Sequence, residues 1–239
     1  MKTYDFDRIN RINKIFFYSV YAVNPVKENN KRDIQLKELV IIDYGTGNIA
    51  SLKNSFAFLG IPVNVSSDRK VIRNAAKLVL PGVGAFKPAR RKLGKQGLDE
   101  LVSEKVRQGT PLLGICLGMQ LLFTRSNEFG NCSGLNLIPG TVEAITGVRK
   151  IPHMGWNQLH FTKFDPVFKE IPEQSYFYFV HSFICKPDDL ESVTAQCRYG
   201  RNFCAVVRKE NIIGMQFHPE KSGGIGLRVL RNFSYQEKN

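Results

Sequence analysis

The 239-residue sequence lacks several features that would place it in a specialised class of protein. It has no apolar run of about 18 residues, so no membrane-spanning segment is indicated. It also has no internal repeat and no low-complexity tract. Apolar residues make up 43% of the chain, which is enough to fill a core, so a globular protein is expected.

The cysteines lack any arrangement that would indicate a disulfide framework or a zinc site. Their number is odd and no CxxC spacing occurs. We therefore expect reduced thiols, a cytoplasmic location and no bound metal. The five residues are Cys116, Cys132, Cys185, Cys197 and Cys204.

The sequence is strongly basic, with a formal charge of +13 and a pI of about 9.6. Lysine and arginine are nevertheless scattered along the chain and do not gather on one helix or arm, so we do not expect a nucleic-acid partner. A basic surface also suits an acidic protein partner or simply a solvated face.

The first 37 residues form a separate region of the sequence. Basic residues precede the apolar stretch "IFFYSVYAV", as in a signal peptide, but Asp5 and Asp7 interrupt them and no small-x-small cleavage site follows. We predict an N-terminal extension over residues 1–37, outside the fold, and one domain over residues 38–239. Organelle targeting by residues 1–37 remains an open alternative.

Strand-turn-helix units begin at Leu39. The run "LVII" predicts a buried strand, "YGTGN" a turn, and the following apolar spacing a helix that ends at Gly60. Further strands are predicted at "PVNVS", "KLVL" and "PLLGI", with a helix at "GLDELVSEKVRQG". This alternation indicates an α/β fold with a mostly parallel central sheet and helices on both faces. Glycine turns at Gly45, Gly82 and Gly114 to Gly118 all follow strands, where such sheets bind ligands.

The second half is richer in strands and predicts an antiparallel extension of the same sheet. A helix at "GIGLRVLRNF" closes it. The predicted strands are "GTVEAI", "YFYFVHSFI", "SVTAQCR", "FCAVVRK" and "IIGMQF".

The stretch "GICLG" places Cys116 between two glycines where a strand meets a helix. A G-x-nucleophile-x-G turn forces its central residue into a strained conformation, and side chains at the glycines would clash with neighbouring elements. The position at a helix N-terminus favours the thiolate, which is the reactive form. The alternative is a tight packing turn that happens to carry a cysteine.

A nucleophilic cysteine needs a base, and His218 is the favoured one of four histidines. It directly follows a strand-like run, and Glu220 two residues later could orient its imidazole, which would complete a Cys-His-Glu triad. Acyl transfer also needs oxyanion donors, for which we expect the N–H groups of Leu117 and Val83. Val83 lies between two glycines in "LPGVGAF", so its peptide can turn inward at little steric cost.

These residues resemble the class I, triad-type glutamine amidotransferases, through "GICLGMQ" and "QFHPEKS". Within that superfamily the chain is similar to the glutaminase subunits of imidazole glycerol phosphate synthase. The narrower resemblance, which extends from about Leu39 to Phe233, rests on "IDYGTGN", "LPGVGAF", "PHMGWN" and "YFVHSF".

The resemblance implies that Cys116 attacks the carboxamide of glutamine, that His218 transfers protons and that Glu220 holds His218. It implies no cofactor, and release of ammonia through a tunnel to a (β/α)₈-barrel cyclase in a heterodimer that serves histidine biosynthesis. The expected contacts of bound glutamine are Gly82, Gly84, Gln120, Glu128, Ser182 and Phe183, and the expected partner-interface or gating positions are Asn48, Trp156, Tyr178 and Lys221. One departure is Asn127, where an acidic residue is common.

Three alternatives remain, one of which is a stand-alone cysteine hydrolase on the same fold, although "PHMGWN" and "HPEKS" resemble the coupled enzyme. A paralogous glutaminase that supplies ammonia to a synthase modifying a nucleotide-linked surface-polysaccharide sugar would carry the same motifs. A subunit that binds glutamine without turnover would have lost a member of the triad, and all three are present.

Overall fold

The computed structural model describes residues 38–236. The extension predicted over residues 1–37 lies outside the described residues, so its boundary with a domain over 38–239 stays a prediction. Among the described helices, none is long and apolar enough to cross a membrane.

The first half alternates strands and helices, as the sequence predicts. The short helix α2 and the helix α3 are additions to that prediction. The elements are β1 (Leu39–Ile42), α1 (Ile49–Phe58), β2 (Val63–Ser66), α2 (Arg69–Asn74), β3 (Lys77–Leu80), α3 (Phe86–Lys95), α4 (Leu98–Arg107), β4 (Leu112–Ile115) and α5 (Leu117–Leu121).

The second half is mostly strands, followed by a C-terminal helix. The elements are β5 (Phe123–Ser126), β6 (Cys132–Ser133), β7 (Ile138–Ala144), β8 (His153–Phe161), β9 (Tyr176–His181), β10 (Phe183–Pro187), β11 (Val193–Tyr199), β12 (Arg201–Lys209), β13 (Ile212–Met215) and α6 (Gly223–Tyr235). Short 3₁₀ turns cover Pro166–Phe168, Leu190–Ser192 and Pro219–Lys221.

The strands form one mixed sheet in the order β2-β1-β3-β4-β13-β12-β10-β7-β5-β6. The neighbours from β2 to β13 are parallel, and β12 joins β13 in antiparallel orientation. From β12 a branch continues through β11 and β8 to β9. The predicted α/β architecture with an antiparallel extension is confirmed.

Strand β1 shows why the sheet needs cover on both faces. All four of its residues are buried. Leu39 and Ile41 pack into one apolar cluster, whereas Val40 and Ile42 pack into the other. Because side chains alternate across a strand, a continuous apolar run must be buried on both sides.

The single strand predicted at "YFYFVHSFI" is wrong, because the chain changes partner in its middle. His181 at the end of β9 pairs with His153 of β8, whereas Phe183 at the start of β10 pairs with Ala144 of β7. Ser182 is the link between the two strands. Periodicity could not reveal this break, since both halves have the composition of a buried strand.

The turn from β4 into α5 is fixed by close backbone packing. Cys116 has φ 54° and ψ −111°, a strained conformation for a residue with a side chain. A Cβ atom on Gly118 would lie 1.8 Å from the carbonyl oxygen of Leu80, and one on Gly114 would lie 2.9 Å from the carbonyl oxygen of Gly118. Both flanking glycines are therefore required, as the sequence predicts.

Replacing Gly118 with alanine should strongly destabilise the fold, because the new methyl group would overlap the Leu80 backbone. We expect a loss of about 3 kcal/mol or more in the free energy of unfolding, measured by urea denaturation. Gly60→Ala is the matched control, since its φ is +67° but no atom lies within 4 Å of the new Cβ. It should cost only about 1 kcal/mol. Equal losses would contradict the packing argument.

Candidate active site

A cavity of about 420 Å³ opens beyond the carboxyl end of β4. It brings together the predicted nucleophile, the predicted base, both predicted oxyanion residues and most of the predicted glutamine contacts. Its volume lies in the range typical of small-molecule sites. The lining residues are Val83, Gly84, Cys116, Leu117, Gln120, Glu128, Phe129, Pro152, Val180, His181, Ser182, Phe183 and His218.

Cys116 is held at the junction of β4, β13 and α5. Its backbone N–H donates to the carbonyl of Met215 at 2.7 Å, which ties the turn to the neighbouring strand. Its side chain is 6% exposed, and Gln216 Nε2 donates to Sγ at 3.7 Å. Sγ also lies 3.9 Å from the carbonyl oxygen of Val180, and the thiol borders the cavity.

Burial raises the thiol pKa of the three other buried cysteines, Cys185, Cys197 and Cys204. For Cys197 the pKa rises to about 12. A thiol with a raised pKa carries little thiolate at neutral pH and is a poor nucleophile. These positions fit packing roles.

His218 and Glu220 form a buried pair. The imidazole Nδ1 lies 2.8 Å from Glu220 Oε1, and the two side chains are 2% and 1% exposed. A carboxylate can only accept, so Nδ1 carries the proton in this contact. The opposite nitrogen, Nε2, is buried and has no hydrogen-bond partner among the described residues. It is the atom left to exchange a proton at the cavity.

The pKa of His218 is set by opposing effects. Burial alone would lower the pKa, since it disfavours the imidazolium. Interactions with the Cys116 side chain and with Glu220 outweigh burial and raise the pKa from 6.5 to about 10. The site therefore favours a protonated imidazole between a carboxylate and a sulfur, which is an arrangement suited to cysteine-based acyl transfer.

Ser222 positions the turn that carries His218, and the sequence analysis did not single it out. Its hydroxyl donates to the carbonyl of His218 at 2.6 Å and accepts from the N–H of Tyr178 at 3.0 Å. The N–H of His218 donates in turn to the carbonyl of Tyr178 at 2.9 Å. The base is thereby fixed against β9.

The loop after β3 lies at the mouth of the cavity. Val83 is 41% exposed, and its carbonyl accepts a hydrogen bond from Thr46 Oγ1 at 2.7 Å. Gly84 has φ +94°, a conformation that favours glycine. Leu117 borders the same cavity as Val83. The structure thus gathers the two predicted oxyanion residues around Cys116.

Gly82 differs from the other predicted glutamine contacts because it does not line the cavity. A Cβ there would lie 2.8 Å from the Tyr44 hydroxyl and 2.9 Å from the Gly118 nitrogen. Its role is therefore close packing behind the loop. Gly84, Gln120, Glu128, Ser182 and Phe183 do line the cavity.

Glu128 is anchored at the start of α3. The side chain is buried, and its Oε2 accepts from the backbone N–H of Phe86 at 2.7 Å. Ser126 Oγ accepts from the N–H of Glu128 at 3.1 Å. A carboxylate held in this way at the wall of a cavity can bind a positively charged group such as an ammonium.

Three of the four predicted partner-facing residues form a cluster. The rings of Trp156 and Tyr178 meet edge-on with centroids 6.1 Å apart, and Lys221 Nζ lies 5.7 Å above the Tyr178 ring. Trp156 is 53% exposed, as an unpartnered interface residue would be. Asn48 is the N-cap residue of α1, without a side-chain capping bond.

Gln216 contacts the predicted nucleophile and is absent from the residues predicted from the sequence. It is fully buried, donates to Cys116 Sγ and accepts from Gln120 Nε2 at 3.2 Å through its Oε1. Its position directly after the buried strand β13 was the available signal, since polar side chains at that edge of the sheet face the site. Within residues 38–236, no three metal-ligating side chains are grouped so as to hold a metal ion.

Comparison with known proteins agrees with this geometry. Residues 40–236 match the family "Glutamine amidotransferase class-I". The chain is 47% identical over 205 residues to the imidazole glycerol phosphate synthase subunit HisH of Geobacter sulfurreducens, covering 83% of this chain and 98% of that protein. It is 46% identical over 196 residues to the subunit of the same name from Chlorobaculum tepidum, covering 81% and 98%.

Solved structures share the fold at lower identity. A crystal structure of a glutamine amidotransferase superposes with a TM-score of 0.65 at 19% identity, covering 81% of this chain and 96% of that one. A chain of the PurLQS structure from Thermotoga maritima gives 0.64 at 16% identity, covering 82% and 97%. With the family match and the curated relatives, these findings establish that the chain belongs to the class-I glutamine amidotransferase family.

Proposed function

We propose that the chain is the glutaminase subunit of an imidazole glycerol phosphate synthase, in which a Cys-His-Glu triad hydrolyses glutamine and supplies ammonia to a cyclase subunit for histidine biosynthesis. The supporting observation is the buried His218–Glu220 pair beside Cys116 in one cavity. The relatives that match nearly their full length carry the name of that subunit.

In the first step, the Cys116 thiolate attacks the carboxamide carbon of glutamine. The carbonyl oxygen becomes an oxyanion, for which the N–H groups of Leu117 and Val83 are the proposed donors. His218 Nε2 then gives its proton to the departing nitrogen, the C–N bond breaks, and ammonia leaves a thioester on Cys116. Glu220 stabilises the imidazolium before this transfer.

In the second step, a water molecule attacks the thioester. His218, now neutral, takes a proton from the water as the C–O bond forms, and the C–S bond breaks to release glutamate and regenerate the thiolate. The balance is glutamine and water to glutamate and ammonia. Glu128 is the proposed partner of the glutamine α-ammonium, and Ser182 and Phe183 supply the facing wall.

The cyclase partner would dock where Trp156, Tyr178 and Lys221 cluster. Ammonia is largely protonated in water and then no nucleophile, so a dry passage between the subunits preserves its reactivity. The cationic Lys221 suits an acidic partner residue. We further propose that docking turns the Val83 peptide and completes the oxyanion hole, so that glutamine is used only when the cyclase is present.

The second candidate is a paralogous glutaminase that supplies a sugar-modifying synthase. It would share the triad and the pocket, so only the partner distinguishes the two. The names of the curated relatives favour the histidine-pathway subunit.

Cys116→Ala should abolish glutamine use by the complex of this chain with a histidine-pathway cyclase. We expect glutamate release to fall by about 10³-fold or more, while product formation from added ammonia persists, because the cyclase site is untouched. The measurement is glutamate and imidazole product by chromatography. Cys132→Ala is the control, since Cys132 is half-buried and lies outside the cavity lining.

Two outcomes would contradict the proposal. If Cys116→Ala also abolished the ammonia-dependent reaction, the two reactions would not be carried out at separate sites on the two subunits. Glutamate release by the wild-type chain that is equally fast with and without the cyclase would exclude activation by docking.

Lys221→Glu should weaken docking, because a like charge would face an acidic partner surface. We expect Kd for the cyclase, measured by titration calorimetry, to rise by roughly tenfold or more. Arg107→Glu makes the same charge change at the exposed C-terminus of α4, which precedes the amino end of β4, whereas the cavity lies beyond the carboxyl end of β4, and it should leave Kd nearly unchanged. Equal effects would remove Lys221 from the interface.

His218 should make stability depend on pH in a defined direction. Its pKa is raised from 6.5 to about 10, so its contribution is complete below pH 6.5 and is lost as the pH rises through 10. The difference in unfolding free energy between the wild-type chain and His218→Gln should therefore shrink from pH 6 to pH 10 in urea titrations. A difference that stays constant or grows would contradict the imidazolium assignment.

A further inference from the structure

A chain of hydrogen bonds runs through the protein interior from β8 to the wall of the cavity. Asn157 Nδ2 lies 3.2 Å from His153 Nε2, and His153 Nδ1 lies 3.0 Å from His181 Nε2. His181 Nδ1 lies 2.8 Å from the carbonyl oxygen of Phe183. Neither imidazole takes part in the triad.

The acceptor at the end of this chain determines the direction of every bond. The Phe183 carbonyl can only accept, so His181 carries its proton on Nδ1 and, when neutral, accepts at Nε2. His153 must then donate from Nδ1 and accept at Nε2 from the amide of Asn157. The orientation of that amide is consistent, because Asn157 Nδ2 also donates to the carbonyl of Arg198 and Oδ1 accepts from the N–H of Gln158.

The surroundings keep both imidazoles neutral. His153 and His181 are 3% and 6% exposed, and His153 stacks between the rings of Tyr199 and Phe179 with centroids 4.1 and 4.9 Å away. Burial lowers the pKa of His153 to about 4 and that of His181 to about 3. Protonation would remove an acceptor, so the chain of bonds is intact at neutral pH.

The carbonyl of Phe183 also connects this series of hydrogen bonds to the Cys116 thiol. Phe183 O also accepts from Gln120 Nε2 at 3.3 Å, and Gln120 Nε2 contacts Gln216 Oε1 at 3.2 Å. Gln216 Nε2 donates to Cys116 Sγ. A continuous polar network therefore extends from Asn157 to the reactive sulfur, across a part of the cavity wall that is otherwise aromatic and aliphatic.

We propose that Asn157, His153 and His181 are positioning residues. Their hydrogen bonds, each with a fixed donor and acceptor, hold Ser182 and Phe183 at a fixed distance from strand β8. Ser182 and Phe183 form one wall of the glutamine pocket. This inference rests on the proposed function for its meaning in catalysis. Strand β8 also carries the exposed Trp156 of the partner-facing cluster. The histidine pair is thereby a physical connection between the docking face and the pocket.

The first test reads the ring tautomers of the wild-type protein without any substitution. Long-range ¹H–¹⁵N correlation spectra at pH 7 should show His153 and His181 as neutral rings protonated at Nδ1 and unprotonated at Nε2. A proton on Nε2 of either buried histidine would overturn the proposal.

The second test measures glutamine kinetics of the complex with the cyclase. His181→Phe removes the donor to Phe183 O, whereas His181→Asn retains an amide N–H close to the former Nδ1. We expect KM for glutamine to rise roughly tenfold in His181→Phe with a smaller change in kcat, and to recover in His181→Asn. Equal kinetic losses in both variants would indicate a packing role only and would overturn the proposal.

His153→Phe tests the relay from its far side, because it preserves the stacking on Tyr199 and removes the donor to His181. The backbone amide signals of Ser182 and Phe183 should shift in this variant and stay unchanged in His160→Gln. Unmoved signals would overturn the proposal. These signals and the tautomers need no turnover, so a wild-type complex that fails to use glutamine would refute the proposed function separately.

Discussion

The approach of Gly118 to the carbonyl of Leu80 is the contact on which the active site depends. Because no Cβ atom fits between them, the first turn of α5 lies directly on the end of β3. That position forces Cys116 to φ 54°, and the bond from its N–H to Met215 fixes it against β13. The strain at the nucleophile is thus balanced by packing across three neighbouring strands.

The electrostatics of the site follow from burying a cation in a place that can stabilise it. Removing the His218 side chain from water would by itself favour the neutral ring. Glu220, almost fully buried beside it, reverses that preference together with the Cys116 side chain. For the buried His153 and His181, burial is the largest effect, and their pKa values move in the opposite direction. Three histidines in one fold therefore hold different protonation states because their neighbours differ.

The antiparallel half of the sheet brings the site and the exposed aromatic cluster together. At Ser182 the chain leaves β8 and joins β7, so this one residue separates a hairpin that carries Trp156 and Tyr178 from a strand that lines the pocket. The bond between His181 Nδ1 and the carbonyl oxygen of Phe183 crosses this separation, and the His153–His181 bond continues it to β8. The strand that carries the exposed Trp156 is thus joined to the cavity wall by short polar contacts.

The sequence by itself determined the elements whose causes are local. The glycines of "GICLG", the two-residue spacing of His218 and Glu220, and the apolar runs of the parallel strands are constraints within a few residues, and they predicted the nucleophile turn, the base and the α/β sheet. The resemblance to the family motifs predicted the pocket residues. Tertiary structure alone decided the break at Ser182, the placement of Gly82 behind the cavity, and the bonds that Gln216 and the His153–His181 pair make. Those features depend on which strands become neighbours: the two histidines are 28 residues apart and meet only because β8 pairs with β9. Strand pairing is a property of the whole sheet, and no window of the sequence contains it.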